Sequence, residues 1–319
     1  MKILQELRNR AKNKDGIIVL PEANMDERVK SAAIQILNED LSKIIVFGEE
    51  NEFTQEMREN ENCQIISIKT SELKEKFAEQ LYELRKEKGL TREEAEKLVE
   101  IPTYFAMMLL KNDMADGVVA GAKYSTADVL RPGLQIIKTK PGKKVVTGGM
   151  LMLKENENPL FFGDVSLIEN PTSEQLAEIA DANADFMRKV LNIEPKVAML
   201  SYSTKGSAKH EMVDKVRVAT ELAQNRDFLV DGEMQADTAL DLATAKKKGI
   251  TSEVGGNANV LVFPDLNAGN IGYKLVARLG GYIAVGPIML NFNKPINDLS
   301  RGCTTEEIIN TVLITKLLS

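Results

Sequence analysis

The residues best suited to chemistry in this chain of 319 are hydroxyls and arginines set in glycine-bearing turns. Asp116-Gly-Val-Val-Ala-Gly-Ala-Lys-Tyr-Ser-Thr-Ala-Asp-Val-Leu-Arg131-Pro132 runs from an apolar strand pattern into a loop and then a helix. Backbone N–H groups at such a helix start attract anions. The hydroxyls of Ser125 and Thr126 and the Arg131 guanidinium could complete a phosphate site. The competing explanation is that Ser125 or Thr126 caps the helix and Arg131 is solvated. Proline is best placed in a first helical turn, so Pro132 leaves the helix start open. The loop lacks the Gly-Lys-Ser/Thr ending of a Walker motif and does not match G-x-G-x-x-G.

A second constellation is Asn297-Asp-Leu-Ser300-Arg301-Gly-Cys-Thr-Thr-Glu-Glu307, just before an apolar helical pattern over 308–318. A Ser-Arg-Gly turn at a helix start offers a hydroxyl, a cation and oriented amides, a set that could hold an oxyanion or a phosphoryl group. Thr304 with Glu307 also fits a capping box, which would make Glu307 structural. The third is Phe263-Pro-Asp-Leu-Asn-Ala-Gly-Asn-Ile-Gly-Tyr273. It lies where open α/β sheets bind ligands, yet its Asp, Asn and Gly are also the residues of a plain strand-to-helix turn. The lone histidine, His210, has no serine in a nucleophile elbow to partner it and reads as a partly exposed helix residue. Arg85 lies in a charge-rich stretch that reads as a solvated helix face.

The elements that must carry these residues alternate between short apolar runs and longer helical patterns. Ile17–Leu20, Lys43–Phe47, Gly117–Ala120, Val145–Val146, Val197–Leu200, Val260–Phe263 and Tyr282–Val285 read as buried strands. Asp26–Leu37, Ser173–Val190, Lys209–Ala223 and Ala236–Lys247 read as amphipathic helices. Thr91–Lys111 reads as helical, with a Thr91–Glu94 capping box and a kink or break at Pro102. Such alternation predicts an α/β fold with parallel sheets covered by helices.

A length of 319 suggests two domains. Crossings near Lys140-Pro-Gly-Lys143 and near Gly286-Pro287 give residues 1–143 plus 287–319 as a discontinuous domain I and 144–286 as domain II. That division predicts a ligand cleft between the two. A net charge of −6 and the absence of Trp argue against nucleic acid and anionic membrane as partners. Cys63 and Cys303 form no metal-ligand spacing and no disulfide framework, so no metal is expected. No run approaches the roughly 18 apolar residues of a membrane span, and the charged start does not resemble a signal peptide. The expected location is the cytoplasm.

Taken in order, Ala115–Lys138, Val197–His210, Asp231-Gly-Glu-Met-Gln235, Ala258–Gly281 and Lys294–Cys303 resemble the phosphate acetyltransferase family, over nearly the whole chain. The resemblance implies two α/β/α domains with mostly parallel sheets, like those of isocitrate and isopropylmalate dehydrogenases. It implies a homodimer active in acetate metabolism. It also implies reversible transfer of an acetyl group between coenzyme A and inorganic phosphate, by direct attack in a ternary complex. Coenzyme A and acetyl-CoA are then substrates, and no cofactor is permanently bound. The resemblance places Ser300 and Arg301 at catalytic positions and Arg85, Thr126 and Arg131 at substrate-binding ones. Thr126 falls where relatives carry Ser, and Glu307 where the family's general base is an Asp. Glu is one methylene longer with a similar reference pKa, and a base must face the ligand while a capping glutamate turns back to the backbone. Two further departures are Phe162-Gly-Asp-Val165, without the Cys that relatives often have, and Asn257, where many carry a basic residue. The alternatives are a phosphate butyryltransferase or other longer-acyl relative, an NAD(P)-dependent hydroxyacid dehydrogenase on the related fold, and a non-catalytic acetyl-CoA-sensing module.

Overall fold

The computed structural model describes residues 1–319. The chain divides into two compact units, residues 2–141 with 292–319, and residues 142–291 with Met1. In chain order the strands are β1 (Ile17–Leu20), β2 (Lys43–Phe47), β3 (Cys63–Ile66), β4 (Gly117–Ala120), β5 (Thr147–Leu153), β6 (Leu160–Gly163), β7 (Lys196–Leu200), β8 (Leu229–Met234), β9 (Val260–Val262), β10 (Ile283–Leu290) and β11 (Ile296–Asp298).

The first unit holds a five-stranded sheet in the order β11-β4-β1-β2-β3, parallel throughout. Its middle strands are buried, so they read as unbroken apolar runs. The helix Glu27–Asn38 and the final helix Thr305–Leu318 pack a shared core around Ile18, Leu20, Ile44, Val119, Ile308 and Val312. The second unit holds a six-stranded sheet, β10-β5-β6-β9-β7-β8. Its β10–β5 and β5–β6 pairings are antiparallel, and the rest are parallel.

Several elements differ from the sequence expectation for physical reasons. Val145 and Val146 precede β5 instead of forming a strand, because the Glu178 carboxylate takes the Lys144 and Val145 N–H groups at 2.7 and 3.0 Å. The helical pattern over 236–247 splits into Ala236–Leu240 and Leu242–Lys247. Asp241 is extended at the junction, and its side chain caps the second helix by accepting from Thr244 N–H. Pro102 begins a new helix, Pro102–Lys111, after Arg92–Val99 has ended. Pro132 lies not in a first turn but at the end of Thr126–Pro132, and the chain runs on as a π-helical stretch over Gly133–Ile137. A proline removes one rung of the ladder, and wider bonding such as Lys138 N–H to Gly133 carbonyl, 2.9 Å, resumes after it. No helix is long and apolar enough to cross a membrane.

Candidate active site

In the first unit the segments after β1, β4 and β11 converge. β11 lies beside β4, with Asp298 opposite Ala120, and β4 lies beside β1. Glu22, fully buried just after β1, organises the loop after β4. Its Oε2 accepts the N–H groups of Gly121 and Ala122 at 2.8 and 3.0 Å, and its Oε1 accepts those of Lys123 and Tyr124 at 2.7 and 2.8 Å. These four loop amides are therefore occupied by the protein's own carboxylate, ahead of the helix that starts at Thr126. Gly121 has φ +111°, and a Cβ there would come within 2.3 Å of Asp298 Oδ1 and 2.7 Å of Leu299 N.

Ser125 and Thr126 divide the two roles left open for them. Ser125 caps Thr126–Pro132 in a capping box with Asp128. The Thr126 hydroxyl instead donates to Asp298 Oδ2 at 2.6 Å. Asp298 is 3% exposed, and its Oδ1 has no partner. Burial pushes its carboxyl up to about 6, the Thr126 bond opposes that, and the negative charge of Glu22 adds to it.

Arg28 joins two loops. Its Nε and Nη2 bind the two Asp26 oxygens at 3.0 and 2.8 Å, and its Nη1 donates to the carbonyls of Arg301 and Cys303 at 2.9 and 2.8 Å. Nη2 also reaches the Ala122 carbonyl at 3.3 Å. The Arg28 bond is the largest influence on Asp26, holding its carboxyl below the usual range although burial opposes it. This clamp fixes the backbone of the turn that displays Ser300 and Arg301, both exposed. Ser300 Oγ accepts Gly302 N–H at 3.3 Å, and the Arg301 guanidinium makes no ion pair. Burial raises the Cys303 thiol to about 11, which keeps it protonated at neutral pH.

Glu307 closes the capping box foreseen from its spacing. Its Oε2 accepts Thr304 N–H at 2.7 Å, while its own N–H donates to Thr304 Oγ1 at 3.2 Å. Only one carboxylate oxygen is engaged this way, so capping leaves Oε1 for another partner.

Arg85 ends the helix Leu73–Arg85, and with Tyr104 and Gln135 it borders a hollow of about 420 Å³. Tyr104 donates its hydroxyl to Gln135 Oε1 at 3.0 Å. Burial raises the Tyr104 hydroxyl pKa, and the positive fields of Arg131 and Arg85 oppose that rise. Both guanidiniums therefore act on one hydroxyl. The Thr126–Pro132 helix carries a member of each group: Thr126 donates to Asp298, and the positive field of Arg131 reaches Tyr104. Glu22, Arg28, Tyr104 and Asp298 went unassigned in the sequence. The available signal was Asp298 within the Ser300 motif, and a carboxylate two residues after the apolar strand 17–20 for Glu22.

Two expectations fall on the second unit. His210 is the N-cap of Glu211–Ala223, its Nδ1 accepting Met212 N–H at 3.2 Å. Asp265 caps Leu266–Gly280 through Ala268 N–H, and Asn270 donates to the Val165 carbonyl, as a strand-to-helix turn requires.

A family model described as phosphate acetyl/butaryl transferase matches residues 2–316. A phosphate acetyltransferase of Clostridium acetobutylicum is 47% identical over 326 residues, covering 99% of this chain and 98% of its own. The crystal structure of a phosphotransacetylase from Streptococcus pyogenes superposes with a TM-score of 0.92 at 43% identity, covering 99% of this chain and 97% of that one. A putative 4-hydroxythreonine-4-phosphate dehydrogenase from Salmonella typhimurium shares the fold alone, with a TM-score of 0.55 at 10% identity over 96% of this chain and 99% of its own.

Proposed function

The chain belongs to the phosphate acetyl/butaryl transferase family, and from that premise we propose that it transfers an acetyl group reversibly between coenzyme A and inorganic phosphate. The observation that carries the reading is the exposed Ser300-Arg301 turn, held by Arg28 through the carbonyls of Arg301 and Cys303. A turn fixed by its backbone presents hydroxyl and guanidinium with little reorganisation, which is what stabilising a developing oxyanion requires.

In this mechanism phosphate is clamped by Arg85 and Arg131, whose planar forks suit phosphoryl oxygens. Thr126 adds a hydroxyl. Phosphate attacks the thioester carbonyl, and Arg301 and Ser300 stabilise the tetrahedral oxyanion. The carbon–sulfur bond then breaks, and coenzyme A leaves. In reverse, the thiol of coenzyme A loses its proton and attacks the acetyl carbon of acetyl phosphate, the carbon–oxygen bond breaks, and inorganic phosphate leaves. A free thiol is only a few per cent thiolate at neutral pH, so a base helps. Glu307 serves as that base through Oε1 while Oε2 keeps the cap. The enzyme works as a cytoplasmic homodimer in acetate metabolism. Support for a dimer comes from Ile271, Leu275 and Leu279, spaced by four on Leu266–Gly280 and 57%, 53% and 82% exposed.

The test is phosphate-dependent formation of acetyl phosphate from acetyl-CoA, with butyryl-CoA run alongside. Turnover with acetyl-CoA should exceed that with butyryl-CoA. Arg301→Ala should lower it on the order of 10²–10³-fold, as loss of an oxyanion donor does. Glu307→Gln retains an acceptor for Thr304 N–H, so it should abolish most turnover while leaving the melting temperature near wild type. Unchanged turnover in Glu307→Gln would return Glu307 to capping alone. Folded protein that turns over neither thioester but binds acetyl-CoA in a calorimeter would be a sensing module.

A further inference from the structure

Asp298 has no part in the mechanism above, yet it is placed against one of its residues. It ends β11, 3% exposed, and receives the Thr126 hydroxyl on Oδ2 at 2.6 Å. Its Oδ1 has no partner, and Gly121 packs so close that a Cβ there would lie 2.3 Å away. An ionised carboxylate in such a place is disfavoured, because one oxygen is desolvated without compensation.

Of the groups around it, the Thr126 hydroxyl alone relieves this, and it does so at Oδ2 only. From the segment after β1, Glu22 brings a second negative charge. From the loop after β4 comes the Gly121 backbone, and from the helix Thr126–Pro132 the Thr126 hydroxyl. Asp128 on that helix is engaged with Ser125, and Arg131 acts on Tyr104. On β11 itself, the neighbouring Asn297 is the residue that meets the final helix, through Thr315 at 2.7 Å. The charge that faces Asp298 is that of Glu22, and it favours the protonated form.

We propose that Asp298 is a positioning residue that sets the direction of the Thr126 hydroxyl, so that Thr126 donates to a bound phosphoryl oxygen only while Asp298 carries a proton. The proposal rests on Thr126 being a substrate-binding residue. A distance of 2.6 Å suits an O–H···O bond in either direction. Ionised Asp298 takes the Thr126 hydrogen for itself, and an incoming anion meets only oxygen lone pairs beside a buried negative charge. Protonated Asp298 donates to Thr126 Oγ1, and the Thr126 hydrogen turns to the anion. Binding a phosphoryl group and protonating Asp298 then favour each other reciprocally. With the carboxyl raised to about 6, affinity is highest below that pH and falls as pH rises through it.

The probe is sulfate, whose charge stays constant over the range, measured as a competitive inhibitor of acetyl phosphate turnover between about pH 5 and about pH 8, where few side chains titrate. In the wild type the inhibition constant should rise several-fold, up to about tenfold per pH unit for one linked proton. Asp298→Asn and Thr126→Ala should both give flat profiles. A flat wild-type profile overturns the proposal. A step that survives in Thr126→Ala, at any pH, also overturns it, since Asp298 would then act as a plain charge and not through the hydroxyl. A wild type without turnover would instead remove the functional reading on which the proposal stands.

Discussion

Each unit has a loop that follows a buried parallel strand and is organised by a buried glutamate, and the two loops differ in how that is done. After β4, Glu22 divides its oxygens between four backbone N–H groups, two on each. After β7, Glu233, 1% exposed, uses one oxygen, Oε1, for the Ser203 hydroxyl at 2.9 Å and Gly206 N–H at 2.7 Å. Each loop also has a cation. Arg28 binds Asp26 with two nitrogens and reaches three carbonyls, whereas Lys205 pairs with Asp231 and reaches the Gly232 carbonyl at 2.8 Å. A planar fork can tie several backbone segments together; an ammonium is a point charge on a flexible stem. Both loops have the hydroxyls and glycines of an anion-binding turn, yet a protein carboxylate satisfies amides of each. In the first unit the amides of residues 121–124 are thereby taken, and the placement of the Ser300 and Arg301 side chains depends on the clamp.

The largest effect that tests this contrast comes from one isosteric change made twice. Glu22→Gln must point an amide NH₂ at two N–H donors, either the buried pair of Gly121 and Ala122 or the part-buried pair of Lys123 and Tyr124. Leaving buried donors unsatisfied costs about 1–3 kcal/mol each, so a loss on the order of 3 kcal/mol in urea unfolding is expected. Glu233→Gln can keep its carbonyl oxygen toward both Ser203 and Gly206, and should lose about 1 kcal/mol or less. Equal losses would mean that the division of acceptors between oxygens does not govern the two loops. The next effect is Arg28→Lys. An ammonium cannot hold Asp26 and the carbonyls of Arg301 and Cys303 at once. A loss of about 1–2 kcal/mol is expected, with turnover reduced beyond what that loss explains. Unaltered kcat would detach the clamp from the Ser300-Arg301 turn.

What the sequence made legible was local. β1, β2 and β4 follow from apolar runs, and the boxes Thr91–Glu94 and Thr304–Glu307 follow from a spacing of three. The final helix was visible for the same reason. β8 and β11 were not, because Asp231, Glu233 and Asp298 interrupt the apolar pattern with buried carboxylates. Glu22 meets partners some 100 residues away, and Asp298 meets Thr126 across 172. No periodicity carries such pairings. Pro132 misled because proline favours a first turn, whereas here it precedes a change of helical pitch. The family resemblance supplied Arg85, which composition alone had placed on a solvated face; the hollow with Tyr104 and Gln135 is what distinguishes it.

The smallest effect should come from the cation of the second loop. Lys205 is 44% exposed at its side chain, so water screens its attraction for Asp231, and ordering a long side chain offsets part of what is left. Asp231 also retains the Gly232 N–H at 2.8 Å and the Ser252 hydroxyl when the lysine is removed. Its charge is then still compensated by hydrogen bonds, which is the condition under which a buried carboxylate tolerates losing its ion partner. Lys205→Met should therefore change stability by less than about 1 kcal/mol, and the change should shrink further in high salt. Set beside Arg28→Lys, which keeps the charge and loses the fork, this gives opposite outcomes from the two cations. Removing a whole charge would matter less than changing its shape. A loss above about 2 kcal/mol for Lys205→Met would show that Asp231 depends on its ion partner after all. The second loop would then be held by charge as firmly as the first is held by geometry.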